Sequence, residues 1–272
     1  MTYLSACAIY KNEGPYLREW VEFHRLVGFE RFFLYDNAST DEHREELAPY
    51  IEDGAVVLHD WPMFPAQLES YRDCLERHRE DSRWIAFLDL DEFIFSPTYR
   101  PVPEILRDYE RWPGVSVNRA TFGTAGHETR PAGLVLENFL MRTNDPLRNG
   151  TFKSIVNPRE AYDMKNPETF FYRDGGYAVD ENEEPTPPDT VAGHFSWKKL
   201  RMNHYVTKSK EEWLSKIAKP TADTGDARSQ RIRHFDTLEM LLNQERDEVI
   251  LHYLPALKEA LERTRERVSS ER

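Results

Sequence analysis

The 272-residue chain is 39% apolar and 12% aromatic, enough to fill the core of one large domain or two small ones. Its formal net charge of -12 and pI near 5.3 argue against a partner with a phosphate backbone, so we expect no nucleic-acid binding. The start, MTYLSACAIYKNEG, lacks signal-peptide features, and no stretch approaches the ~20 apolar residues of a transmembrane segment, so we expect a soluble, cytoplasmic protein.

Short apolar runs alternate with amphipathic helical patterns through the first third of the chain. The apolar runs predict strands at residues 4–10, 32–35, 56–58 and from 84 onward. The helical patterns predict helices between Pro15 and Gly28, through Leu47 and Tyr50, and over 66–79. This order is typical of repeated β-α units, which build a parallel sheet.

After Phe95 the predicted elements become more mixed. Strand-like runs lie at 115–121, 134–140, 152–156 and 201–206, and part of them should be antiparallel. Helical patterns lie at 103–109, 211–217, 237–246 and 254–267. A stretch rich in Gly, Pro and acids at 172–194 predicts a long loop. We therefore expect an α/β fold with a mostly parallel central sheet, flanking helices and a C-terminal helical segment.

Polar clusters directly follow four of the predicted strands. They read KNE at 11–13, DNASTD at 36–41, HDWP at 59–62 and DLDE at 89–92. The carboxyl ends of parallel strands meet at one edge of an open sheet, and ligands bind outside that edge. Loops are polar in most proteins, but four clusters in register indicate a binding site here.

Two acids, Asp89 and Asp91, end the apolar run WIAFL. On a strand they would point to the same side, where two carboxylates need a cation or a shared proton. Hard oxygen ligands with open coordination suit Mg²⁺ or Mn²⁺ held together with a diphosphate. An EF-hand loop is excluded because Phe93 and Ile94 stand where an oxygen ligand and a glycine are required. A phosphatase of the haloacid dehalogenase kind, with Asp89 as nucleophile, and a non-catalytic sugar-binding module stay open.

Several blocks of the chain, in order, resemble glycosyltransferase family 92. The matching blocks are ACAIYKNEGPYLREWVEFHRLVGFERFFLYDNASTD, QLESYRDCLERHREDSRWIAFLDLDEFIF, FGTAGHETRPAGLVLENF, FKSIVNP and NHYVTKSKEEWLSKI. The resemblance implies a GT-A fold and an inverting transfer of a hexose, galactose in the studied branch, from a UDP-sugar to a glycan or glycolipid. It also implies Mn²⁺ or Mg²⁺ at the Asp-x-Asp motif. We expect one GT-A domain over 1–272, with a nucleotide-sugar half (about 1–125), an acceptor half (about 126–208) and C-terminal helices (about 209–272).

The same resemblance implies roles for residues on several loops. The residues implied at the nucleotide sugar are Lys11, Asn12, Glu13, Asp36, Asn37, Gln67, Asp89, Lys208 and Ser209. The implied metal ligands are Asp89, Asp91 and His204. Lys208 would meet the diphosphate as a point charge, and Ser209 would begin a helix whose N-terminus favours anions. The alternative for the acids after the first two strands is a hydrogen-bonded turn or a helix cap.

An inverting transfer also needs a carboxylate that takes the proton from the acceptor hydroxyl. Glu137, in the matched block VLENF, and Glu128 are the candidates, with Asp180 a third. A structural carboxylate is the alternative role for Glu137. Family members often carry Pro-His where this chain has Glu168, and His194 would supply the missing imidazole from elsewhere in the chain. Lys153 in FKSIV would assist at the diphosphate.

Overall fold

The computed structural model describes residues 1–187, 195–219, 224 and 235–270. Its strands are β1 (Thr2–Tyr10), β2 (Arg31–Asp36), β3 (Val56–Asp60), β4 (Ser82–Phe87), β5 (Glu92–Phe95), β6 (Gly114–Thr121), β7 (Met141–Arg142), β8 (Phe152–Val156), β9 (Ala161–Met164), β10 (Phe170–Tyr172), β11 (Ala178–Val179), β12 (Arg201–His204) and β13 (Glu245–Arg246). Its α-helices are α1 (Gly14–Leu26), α2 (His43–Glu52), α3 (Gln67–Arg77), α4 (Val102–Leu106), α5 (Val135–Asn138), α6 (Pro146–Asn149), α7 (Lys210–Ile217), α8 (Phe235–Leu242) and α9 (Leu254–Ser270).

One large sheet organises the fold, with the strand order β3-β2-β1-β4-β8-β6-β12-β5 and β11 added beside β6. The first four strands are parallel, as the β-α alternation predicts. β8 runs antiparallel to β4 and β6, and β5 antiparallel to β12. The expected α/β class is confirmed: the central sheet is mostly parallel, helices flank it, and a C-terminal helix follows. No helix in the described ranges is long and apolar enough to cross a bilayer.

Helices cover the parallel part of the sheet on both faces. Alternate residues of β1 divide between two hydrophobic clusters: Leu4, Ala6 and Ala8 face one side, and Cys7 and Ile9 the other. On the first side α1 packs against α2 and α9; on the second, α3 packs against β1 and β9. Because both faces are covered, the strands read as nearly continuous apolar runs.

Two local expectations are wrong. Residues 134–140 do not form a strand, because residues 135–138 form the short helix α5. The buried Glu19 carboxylate accepts hydrogen bonds from the backbone N–H groups of Val135 (2.9 Å) and Leu136 (3.0 Å), two donors that a helix N-terminus leaves unpaired. The helix expected over 237–246 ends at Leu242, and the last two of those residues form β13 beside β7.

The turn after α1 requires glycine at position 28. Gly28 has φ of 105°, and a Cβ atom there would lie 2.6 Å from Cδ of Pro103. We expect Gly28→Ala to lower the free energy of unfolding by about 2–5 kcal/mol, the sum of left-handed backbone strain and overpacking. Gly54→Ala is the matched control, because Gly54 has φ of 76° with open space around its Cα. It should cost only the strain, about 1–2 kcal/mol. Equal losses in urea denaturation would contradict the packing argument.

Candidate functional site

The acids of the Asp-x-Asp motif lie in the turn between β4 and β5. β4 ends at Phe87, and the N–H of Glu92 donates to the carbonyl of Asp89 (3.0 Å), which closes the turn. Because neither acid lies in a strand, the alternation of strand side chains does not determine whether the two point to the same side. The two acids stand two residues apart in this turn, and the charge of Asp91 acts to raise the pKa of Asp89. The motif stands at the carboxyl edge of the parallel strands, where the sequence predicts the site.

Strand β12 brings His204 to this turn. β12 pairs antiparallel with β5, so its last residue lies opposite Glu92, the first residue after the motif. The N–H of Tyr205 donates to the carbonyl of Asp91 (2.8 Å), and Nε2 of His204 lies 3.7 Å from Oδ1 of Asp91. Burial lowers the pKa of His204 to about 3, against an opposing effect of Asp91. The imidazole is therefore neutral, the form that binds metals.

The Asp91 and His204 pair fits a divalent cation. A separation of 3.7 Å between the two ligand atoms is compatible with one ion about 2.1 Å from each. Among the described residues no group of three or more His, Cys, Asp or Glu side chains is arranged to hold a metal. Mg²⁺ and Mn²⁺ sites commonly use one or two protein ligands and take the rest from water and phosphate. The pair is therefore compatible with an ion that takes its remaining ligands from water and a diphosphate.

Asp89 has different partners from Asp91. Its Oδ1 accepts a hydrogen bond from Nε2 of Gln67 (2.8 Å), and its Oδ2 lies 3.2 Å from Nζ of Lys153. Burial alone would raise the pKa of Asp89, but Lys153 offsets this and holds the pKa below its usual value. The side chain is 37% exposed. Asp89 is thus an ionised acceptor open to a ligand, and it is held by Gln67, a second residue predicted at the nucleotide sugar.

A buried ionic network lies behind the motif. Lys153 is fully buried, and its ammonium also lies 3.8 Å from Glu92 and 3.9 Å from Glu168, without hydrogen-bond geometry. Arg119 bridges the same two glutamates, 2.9 Å from Glu92 and 3.3 Å from Glu168. Burial raises the pKa of Glu92 to about 7, although Lys153 and Arg119 both lower it. Sequence reasoning missed Arg119, whose signal is a single charged residue inside the otherwise uncharged strand GVSVNRAT.

Lysines after β12 add positive charge beside Asp91. Nζ of Lys216 donates to Oδ2 of Asp91 (2.6 Å) and to the carbonyl of Val206 (3.2 Å). Burial would raise the pKa of Asp91, but Lys216, then His204 and Lys208, hold it well below its usual range. Lys216 was not predicted, although it stands two helical turns after Ser209 and so on the same face of α7.

Lys208 and Ser209 form the entry to α7. Lys208 has a left-handed backbone (φ 50°), and its Nζ lies 3.0 Å from Oε2 of Glu13 and 3.4 Å from the ring centre of Tyr16. Such backbone strain concentrates at functional loops. The Ser209 hydroxyl caps α7 by accepting from the N–H of Glu212 (3.3 Å), whose carboxylate accepts in return from the N–H of Ser209 (3.1 Å). The structure thereby joins Lys208 to Glu13, in the loop after β1.

The loops after β1 and β2 hold each other through their polar side chains. Oδ1 of Asn12 accepts from the N–H of Thr40 (2.7 Å), and Oδ1 of Asp36 accepts from the N–H of Ser39 (2.9 Å). Nδ2 of Asn37 donates to the carbonyls of residues 61 (2.8 Å) and 63 (2.7 Å) in the loop after β3. Lys11 is exposed. These hydrogen bonds stabilise the loops, as the alternative to nucleotide binding expects. The contacts with the nucleotide stay predictions.

The family model of glycosyltransferase family 92 matches residues 3–237, most of the chain. The chain belongs to this family. A family 92 protein of Arabidopsis thaliana, At1g27200, is 32% identical over 167 residues, which are 57% of this chain and 28% of that protein. Os08g0121900, a family 92 protein of Oryza sativa subsp. japonica, is 31% identical over 169 residues, 60% of this chain and 28% of that protein. The matched part of this chain thus spans 28% of the length of these relatives.

This family 92 chain is also similar to proteins whose names state a reaction. The galactan β-1,4-galactosyltransferase GALS2 of Arabidopsis thaliana is 32% identical over 116 residues, 39% of this chain and 22% of that enzyme. Among solved structures, Staphylococcus aureus TarS (residues 1–349) in complex with UDP aligns with a TM-score of 0.41 at 12% identity, covering 58% of this chain and 47% of that chain. A TM-score this low does not assign a function.

The two glutamates predicted as the catalytic base of this family 92 member form other interactions in the structure. Oε1 of Glu137 accepts from the N–H of Leu134 (2.9 Å), which caps α5, and its Oε2 lies 2.5 Å from Nζ of Lys258. Glu128 is exposed and lies 3.0 Å from Nζ of Lys210. Their catalytic role stays a prediction. His194 lies outside the described residues.

Proposed function

We propose that this chain transfers a hexose from a UDP-sugar to a hydroxyl of a glycan or glycolipid, with inversion at the sugar and with bound Mn²⁺ or Mg²⁺. The observation that carries the proposal is the pairing of Asp91 with neutral His204 at the carboxyl edge of the sheet, in a chain of family 92. Galactose is the proposed hexose, and its support is the similarity to galactan β-1,4-galactosyltransferases. The cytoplasmic location and the absence of a nucleic-acid partner stay predictions.

Different side chains at this edge would bind different parts of the donor and its cation. Asp91 and His204 would hold the cation, which neutralises charge on the leaving diphosphate when bound. Asp89, oriented by Gln67 and partly exposed, would accept hydrogen bonds from the nucleotide sugar. Lys216 contacts Asp91, and the charge of Lys208 also lowers the pKa of Asp91; both lysines would pair with diphosphate oxygens. The alternative of a phosphatase with Asp89 as nucleophile gains no support from family 92 membership.

Ligand-dependent stabilisation tests this proposal. We expect Mn²⁺ and UDP together, each near 100 times its dissociation constant, to stabilise the folded protein by about 5 kcal/mol, which raises Tm by about 10 °C or more. Asp91→Asn should abolish the Mn²⁺-dependent part of this gain, because the amide no longer supplies an anionic ligand. Asp108→Asn, at an exposed aspartate on the short helical turn after α4, is the matched control and should keep the full gain. Equal gains in both variants would contradict the metal site.

A further inference from the structure

A fourth carboxylate, Glu168, reaches the site from the β9–β10 hairpin. It stands in the turn between the two strands, and its Oε1 lies 3.3 Å from Nη2 of Arg119. We infer that Glu168 is the general base that takes the proton from the acceptor hydroxyl. This inference rests on the proposed function and names a catalytic residue for it that differs from Glu137 and Glu128.

The other acids of the cluster are already engaged. Asp91 binds Lys216 and faces His204, and Asp89 binds Gln67 and Lys153. Glu92 is fully buried, and its two oxygens meet the guanidinium of Arg119 and the N–H of Asp89. These carboxylates therefore serve the cation, the donor or the fold, and none has an oxygen that both lacks a partner and adjoins Arg119.

Glu168 keeps one oxygen available. Its side chain is 17% exposed, and within the described part of the chain its Oε2 has neither a hydrogen bond nor an ion pair. Both cation contacts, to Arg119 and to Lys153, are made by Oε1. A general base needs this combination: one oxygen fixes the orientation of the carboxylate and the other accepts the proton.

The backbone around Glu168 is held in place before any ligand binds. Oδ1 of Asn166 accepts from the N–H groups of Glu168 (3.0 Å) and Thr169 (2.8 Å). The hydroxyl of Ser154, on β8, donates to the carbonyl of Glu168 (2.6 Å). The turn is thus attached to the central sheet one residue from Lys153. Folding therefore already positions Glu168, and ligand binding need not supply that free energy.

The proposed step conserves atoms and electrons. The acceptor O–H bond breaks and its proton passes to Oε2 of Glu168. The acceptor oxygen forms a bond to the anomeric carbon from the face opposite the diphosphate. The bond between that carbon and the diphosphate oxygen breaks, and its electron pair leaves with UDP.

Glu168→Gln tests the inference with water and azide as acceptors. UDP-galactose, UDP-glucose and UDP-N-acetylglucosamine are offered with Mn²⁺, and UDP release is measured in water and with added sodium azide. We expect hydrolysis to fall about 10²- to 10⁴-fold in the variant, the usual contribution of a general base. Azide has no proton to remove, so transfer to azide should be retained. Stabilisation by Mn²⁺ with UDP should also be unchanged.

Further variants separate this inference from the proposed function. Asp163→Asn, on the same hairpin but paired with Arg72, is the matched control and should keep wild-type hydrolysis. Glu168→Asp should recover part of the rate that Glu168→Gln removes. Unchanged hydrolysis in Glu168→Gln, or equal loss with water and with azide, overturns the assignment of the base while the transferase stands. A wild-type protein that neither binds UDP with Mn²⁺ nor consumes any of these donors overturns both.

Discussion

Replacing Lys153 with methionine should lower the free energy of unfolding by about 3–5 kcal/mol at pH 7.5. The ammonium is fully buried and lies 3.2 Å from Asp89, 3.8 Å from Glu92 and 3.9 Å from Glu168. Burial alone would lower the pKa of Lys153, but Asp89 and Glu92 raise it above its usual range, so the side chain is charged. Methionine has a similar length but leaves these carboxylates without their central cation.

The loss of stability should depend on pH with a defined sign. The pKa of Glu92 is about 7 in the folded protein against 4.5 as its ordinary value, so the folded state loses stability as pH rises from 4.5 to 7. Without Lys153 the pKa of Glu92 rises further, because the removed cation was its strongest stabilising charge. Urea denaturation of Lys153→Met should therefore show a smaller loss at pH 5 than at pH 7.5.

A surface lysine provides the comparison for Lys153. Lys210 pairs with Glu128 at 3.0 Å, but the two side chains are 36% and 74% exposed. Lys210→Met should leave the free energy of unfolding nearly unchanged, because solvent already screens the pair. If both methionine variants lost equally little stability at pH 7.5, the network behind the motif would not depend on its buried cation.

Local sequence patterns were sufficient to predict the helices and strands of the parallel half of the fold. β1, β2 and β3 are apolar runs ended by polar clusters, and α1 has Pro15 in its first turn and is followed by Gly28, so neighbouring residues mark each of these boundaries. α5 was missed because two N–H groups at its N-terminus donate to Glu19, which lies 116 residues before Val135 in the chain. No window of local sequence contains those hydrogen bonds.

The candidate site likewise contains residues that the sequence predicted and residues that it did not. Acids after a buried strand indicated Asp89 and Asp91, and the resemblance to family 92 added His204, which the structure places 3.7 Å from Asp91. Lys216 acts on Asp91 from 125 residues away, through the pairing of β12 with β5 and the direction of α7. Contacts of that kind follow from tertiary structure, and residue spacing does not reveal them.

Metal titration of His204→Gln should show a second large effect. We expect the Mn²⁺ concentration for half-maximal hydrolysis of UDP-galactose to rise at least about 100-fold, because the variant loses one of two protein ligands. Asp91→Asn should show a comparable rise. The double variant should stay inactive at every Mn²⁺ concentration, since several kcal/mol of charge stabilisation on the leaving diphosphate is then absent.

Two comparisons make this titration decisive. His252→Gln changes an exposed histidine stacked on Tyr99 and should leave the Mn²⁺ dependence at the wild-type value. Asp89→Asn distinguishes a metal ligand from a nucleotide acceptor, because the oxygens of Asp89 meet Gln67 and Lys153 and not His204. It should raise KM for the donor with little change in the Mn²⁺ requirement. A rise in that requirement equal to that of Asp91→Asn would instead make Asp89 the third ligand, and the contacts of its oxygens would have to exchange when the ion binds.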